Sequence, residues 1–186
     1  MGPEHLEKQK DSMSEHLTPC LPGLEAFVRP FRFTSQPYEY KVVALRECPT
    51  PESLQLCDTP QKAVEYWRMH LPSNPYFNPE CECFCVFLLN TRRRVKGHQI
   101  VSIGTHDTLL VHPIVVFRLA VATSAPAIVL AHNHPSNEAQ PSEADIKITR
   151  DLVRAGQLLK IEVLDHVIIG QPGFCSLREL GYLAAR

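Results

Sequence analysis

A chain of 186 residues with 44% apolar content has the length for one domain with an appendage and enough apolar surface to build a core. A net charge of −1 removes the general electrostatic case for binding nucleic acid or a membrane surface. The apolar runs are too short to span a bilayer, and MGPEHLEKQKDS has no signal-peptide core, so a cytoplasmic protein with no membrane partner is expected.

Residues 1–36 are polar, interrupted by proline and aperiodic, which predicts a disordered or loosely packed extension. YEYKVVALR, at 38–46, reads as a strand and ECPTPES as a turn, so 37–56 is expected to append a strand and turn to the domain. Asp58 or Thr59, followed by Pro60, makes a helix start, and Ala63, Val64, Trp67 and Leu71 form its apolar stripe. CECFCVFLL and HQIVSIG read as two strands of a hairpin joined through NTRRRVKG. His112-Pro113 opens an apolar helix running to about Thr123. Ala127–His132 is a nearly all-apolar strand of the kind that lies inside a sheet. Ser142 starts another helix, with Ile146, Thr149, Leu152 and Val153 facing inward and Gly156 near its end. IEVLDHVII is a further strand, Gly170–Gly173 a turn, and SLRELGYL a final helix with a Ser176/Glu179 capping box. The seven cysteines are odd in number and contain no C-x-x-C, against both a disulfide framework and a structural zinc knuckle. Cys81, Cys83 and Cys85 share one strand face and are expected to act as small buried packers.

The chemistry concentrates in LAHNHPSNEAQPSEAD, 130–145. In extended backbone, residues two apart project to the same side, so His132 and His134 aim at one point at a strand end. Asp145 lies in the first turn of the next helix, which the loop can fold back over that end. Two imidazoles and a carboxylate suit a catalytic Zn2+ site that keeps a fourth position for water. A separate carboxylate would then be needed to carry the proton. Each part has an ordinary alternative: an isolated H-x-H is more often structural, and S-x-x-D is a common helix start.

His132-x-His134, seven residues, Ser142, two residues, Asp145 resembles the H-x-H-x7-S-x2-D pattern of the JAMM motif in JAB/MPN+ metalloproteases. HNHPS, PS-x-x-D, LDHVIIG and GFCSL are similar to the RadC subfamily, and the likeness covers 57–184. The resemblance implies an α/β fold, a single JAB/MPN-type domain with a mixed β-sheet sandwiched by helices. It implies His132, His134 and Asp145 as zinc ligands, Glu82 as the catalytic acid/base, and Ser142 as the donor that stabilises an oxyanion. A base placed among apolar residues fits a carboxyl whose pKa is raised by partial burial.

The chain departs from the pattern at Asn137, where the family usually has glycine, at Leu89-Asn90, where it has Leu-Asp, and at Ile114, where arginine is common. Asn137 tolerates left-handed backbone better than other non-glycine residues. The helix-hairpin-helix segment that often precedes a RadC domain is not recognisable in 1–56. Asp165-His166 is a candidate pair of supporting groups near the metal ligands, and Thr91–Lys96 a basic hairpin tip that could touch phosphate.

The leading expectation is a zinc hydrolase that cleaves a peptide or isopeptide bond in a peptide or protein substrate. A metal-dependent nucleic-acid-processing protein is the first alternative, since the RadC name is attached to DNA repair. A zinc-binding interaction module without catalysis is the second.

Overall fold

The computed structural model describes residues 41–104 and 111–183, and every element below lies in the unit Val42–Arg186. The expected N-terminal extension, 1–36, lies outside the described residues. The strand expected over 38–46 is not formed in its described part: 41–51 carries neither helix nor strand, and 41–47 is exposed. Val42, Val43 and Leu45 have the composition of a strand, but among the described residues none supplies the ladder they would need. The turn expected around Pro51 tightens instead into a one-turn helix, α1 (Glu52–Gln55).

From there the elements run α2 (Pro60–His70), β1 (Cys83–Leu89), β2 (Val95–Ile103), α3 (Pro113–Ala122), β3 (Ala127–Asn133), α4 (Glu143–Leu159), β4 (Glu162–Ile169) and β5 (Phe174–Ser176). They form a mixed five-stranded sheet of order β2-β1-β3-β4-β5. The β1/β2 hairpin, the β1/β3 pair and the β4/β5 pair are antiparallel, while β3 and β4 run parallel, joined over one face by α4. Every residue of β1 and β3 is buried. That is the physical meaning of their unbroken apolar sequences: both faces of the sheet centre are covered.

Alternation sorts those residues into two cores. Cys83, Cys85, Phe87, Val129 and Val167 pack with Ala63, Val64, Tyr66 and Trp67 of α2. Phe84, Val86, Leu88, Ile128 and Leu130 pack on the other side with Val116 and Phe117 of α3 and Leu152 of α4. The cysteines of β1 are thus packers, as their spacing suggests, and burial pushes the Cys83 thiol up to about 12. Cys81 lies just before the strand and is only partly buried.

Caps set the helix ends. Thr59 accepts from Lys62 N–H with Pro60 at the first position of α2, and the His112 ring accepts from Ile114 N–H ahead of Pro113. α4 presents Ile146, Thr149, Leu152 and Gly156 to the sheet, the spacing of one helix face. Full burial of a side chain such as Leu152 contributes about 1.5–3 kcal/mol. At Gly156 a Cβ would stand 2.5 Å from the Ile161 carbonyl oxygen, so only glycine lets the chain turn back tightly into β4.

The final helix expected from SLRELGYL is absent; 177–183 forms successive turns after β5. Ser176 does accept from Glu179 N–H at 3.1 Å, half of the expected box. Its backbone, however, pairs with Val167 in the sheet, and its hydroxyl hydrogen goes to the buried Asp165 carboxylate. Gly181, at φ +80°, then breaks any helical continuation.

On the α2 side, Tyr66 Oη lies 2.9 Å from His98 Nδ1, and the His98 ring stacks near His70. Burial, reinforced by His70 and Arg46, pushes the His98 pKa down to about 4. An unfolded chain, with an ordinary histidine near 6.5, takes up this proton first. The contribution of neutral His98 to stability is therefore complete above about pH 6.5 and is lost as pH falls towards about 4. Urea midpoints measured at pH 7 and pH 5 should fall by more in the wild-type protein than in His98→Gln; equal falls would refute the assignment.

Candidate metal centre

The site forms where β3 ends and α4 begins, at the carboxyl edge of the parallel pair, the usual place for ligands in α/β sheets. His132 is the penultimate residue of β3, and His134 follows while its N–H still pairs with the Ile169 carbonyl at 3.1 Å. The extended backbone therefore continues far enough to bring both rings to the same side. Next comes a tight turn in which Asn137 N–H donates to the His134 carbonyl at 3.0 Å. Asn137 has φ +64°, the left-handed conformation that glycine or asparagine adopts most readily. Gly170 lies beneath it: a Cβ there would collide with the Asn137 carbonyl, and Gln171 N–H donates to that oxygen at 3.1 Å.

Ser142 caps α4 in a reciprocal arrangement with Asp145. Asp145 N–H donates to Ser142 Oγ at 3.1 Å, and Ser142 N–H donates to Asp145 Oδ2 at 2.8 Å. The Ser142 hydroxyl also gives its one hydrogen to Asp145 Oδ2, at 2.7 Å. The cap thus aims the carboxylate back over the end of β3.

Three side chains converge there. His132 Nε2 and His134 Nε2 are 3.0 Å apart, His132 Nε2 is 3.3 Å from Asp145 Oδ1, and His134 Nε2 is 3.4 Å from Asp145 Oδ2. Bonds of about 2.0–2.1 Å to a tetrahedral metal set ligand–ligand edges of about 3.3–3.4 Å. Lone-pair direction fits as well. His134 Nδ1 sits 2.7 Å from the Glu138 carbonyl, which can only accept, so the proton is on Nδ1 and the Nε2 lone pair faces the centre. The His132–His134–Asp145 group can hold a metal ion.

The groups are also coupled electrostatically, a proton on His134 Nε2 serving Asp145 as a metal ion would. Burial acts to raise the Asp145 pKa, but hydrogen bonds to His132, His134 and Ser142 outweigh it and hold the carboxyl well below its usual range. The Asp145 partnership raises His134 against the opposing effect of burial, and the Glu82 carboxylate adds to the rise. Glu82 is therefore within electrostatic reach of the site. It lies one residue before β1 and two before Phe84, which pairs with His132. Gly104 N–H donates to the Glu82 carbonyl at 2.8 Å, continuing the ladder past the end of β1.

Asn133, between the two histidines, points to the opposite face. Its Oδ1 accepts from Cys83 N–H at 2.9 Å and its Nδ2 donates to the Cys81 carbonyl at 3.0 Å, bracketing Glu82 on both sides. Sequence reasoning passed over Asn133; its alternation out of phase with two ligands was the available signal. The Asp165-His166 pair divides. His166 is fully buried with Nε2 2.9 Å from His132 Nδ1, whereas Asp165 faces the α2 side and binds Ser176, Arg178 N–H and its own His166 N–H. In the basic run, Arg94 donates to Gln55 Oε1 and Lys96 to the Thr123 carbonyl.

Fold and site together define an α/β domain whose β3–α4 crossover carries a group that could hold a metal ion. The chain belongs to the RadC-like JAB domain family, which it matches over residues 57–182. It is 51% identical over 102 residues to a UPF0758 protein of Symbiobacterium thermophilum, covering 55% of this chain and 44% of that protein. A UPF0758 protein of Bacillus cereus is 45% identical over 102 residues, covering 55% and 45% respectively. A third, of Chlorobaculum parvum, is 40% identical over 119 residues, covering 64% and 51%. The chain spans about half the length of these curated relatives. No helix among the described residues is long and apolar enough to cross a membrane.

Replacing Asn133 by alanine leaves the Cys83 N–H and the Cys81 carbonyl without these partners. Each orphaned buried group costs about 1–3 kcal/mol, so Asn133→Ala should lower the unfolding free energy by at least about 1 kcal/mol in urea titration.

Proposed function

We propose that this domain is a zinc-dependent hydrolase acting on a peptide or isopeptide bond of a protein or peptide substrate. What supports the reading is a ligand set with metal-site spacing whose His134 feels the Glu82 carboxylate. His132, His134 and Asp145 would hold zinc, leaving a position open towards solvent. Bound zinc supplies Lewis acidity, polarising the scissile carbonyl and lowering the pKa of water.

Glu82 takes a proton from the water molecule as its oxygen bonds to the carbonyl carbon. The same carboxyl then delivers that proton to the departing nitrogen as the C–N bond breaks, so water is consumed and a carboxylic acid and an amine are formed, which exchange a proton to leave as carboxylate and ammonium. Ser142 supports the negative oxygen of the tetrahedral intermediate. Its single hydroxyl hydrogen is directed at Asp145 Oδ2, so this role requires the hydrogen to change partner as the charge develops.

Zinc binding should show first in stability. At a hundredfold excess over Kd, binding to the folded state alone adds about 2.7 kcal/mol, a rise of about 5–10 °C in Tm, abolished by His134→Ala or by a chelator. Glu82→Gln should retain the zinc-induced rise in Tm. In a peptide-library cleavage assay it should lose at least about a hundredfold in rate. Full turnover by that variant would sink the mechanism.

A further inference from the structure

His132 can present a lone pair to a metal from Nε2 only if its proton sits on Nδ1, and nothing in the residue itself imposes that tautomer. The groups behind it do. His132 Nδ1 faces His166 Nε2 at 2.9 Å, and His166 Nδ1 faces Thr149 Oγ1 at 2.6 Å. Thr149 Oγ1 in turn contacts the carbonyl of Asp145, one turn back along α4, at 2.5 Å. All three contacts are buried, with His132, His166 and Thr149 each 0% exposed.

The direction of each bond follows by counting hydrogens. The Asp145 carbonyl can only accept, so the single hydrogen of the Thr149 hydroxyl goes to it. Thr149 Oγ1 then has only lone pairs for His166, which must donate from Nδ1. Neutral His166 is left with a bare Nε2, which accepts from His132 Nδ1–H. The Nε2 lone pair of His132 is thereby turned towards His134 and Asp145.

We propose that Thr149 and His166 are positioning residues for the metal centre: a one-way relay, Thr149 to His166 to His132, locks the tautomer in which His132 can ligate. The relay starts from the backbone carbonyl of Asp145, so one ligand residue sets the protonation pattern of another through a path independent of the metal. Phe84 holds the geometry, lying parallel to the His132 ring at a centroid distance of 5.9 Å and edge-on to His166 at 5.3 Å. The inference rests on the metal-centre reading, but its first test does not require metal.

Long-range proton–nitrogen NMR correlations on the metal-free, 15N-histidine-labelled protein report which ring nitrogen carries hydrogen. The relay requires His166 protonated on Nδ1 and bare on Nε2, with Nδ1 of His132 protonated. A folded protein with His166 protonated on Nε2 overturns it. Zinc competition against a fluorescent chelator is the second readout. His166→Phe, which cannot accept, should weaken affinity by about 10–100-fold, while His166→Gln, whose amide oxygen can accept from His132, should recover much of the loss. Thr149→Val, which frees His166 to exchange tautomers, should weaken affinity by less and show a mixed pattern in the spectra. Wild-type affinity in folded His166→Phe and Thr149→Val overturns the positioning role. Failure of the wild-type protein to bind zinc would instead overturn the metal-centre reading, and the NMR pattern would still decide the relay.

Discussion

Two imidazoles and a carboxylate meet at the end of β3, and the lone pairs that face the centre repel one another unless a proton or a metal cation sits among them. Such a cluster survives in a folded protein only where the surrounding structure holds it in place and a positive charge can enter. Much of the architecture around the site provides the first condition. β3 lies at the sheet centre with both faces covered, its ladder to β4 extends to His134, and the cap of α4 is built from the same Asp145 that joins the cluster. The capping interaction and the ligand geometry are a single arrangement: the hydrogen bonds that start the helix also orient the carboxylate.

Strand alternation divides the supporting work between two faces. His132, His134, Glu82 and His166 belong to the face covered by α3 and α4, where the site opens. Asn133 and Asp165 point the other way and act on backbone: Asn133 fastens the segment carrying Glu82, and Asp165 ties β4 to β5 and to the turn beyond. A site with reactive groups on one face is thus held by polar anchors on the reverse.

Most of the fold was legible because its signals are local. Thr59-Pro60 and Ser142 mark helix starts by hydrogen bonds made within four residues, and the apolar runs of β1 and β3 declare a doubly covered sheet centre. The errors fall where a local pattern had a competing long-range partner or lacked one. Ser176 has the residues of a helix cap but is drawn into the sheet and onto Asp165, while the apolar segment around Val42–Leu45 finds no strand to pair with among the described residues.

The chain by itself determined the residue types that could ligate a metal and the spacing that lets them meet, since two-residue periodicity in extended backbone and a capped helix turn are properties of short segments. It also carried the likeness to a family over most of the domain. Tertiary structure alone decided that Glu82 comes within electrostatic reach of His134 across about fifty residues of chain, that His166 contacts His132 while Asp165 faces away, and that Thr149 faces an imidazole rather than an apolar neighbour. Those are matters of register, strand face and helix rotation, set by how separate elements pack; a single residue of slip in any pairing would have reversed them.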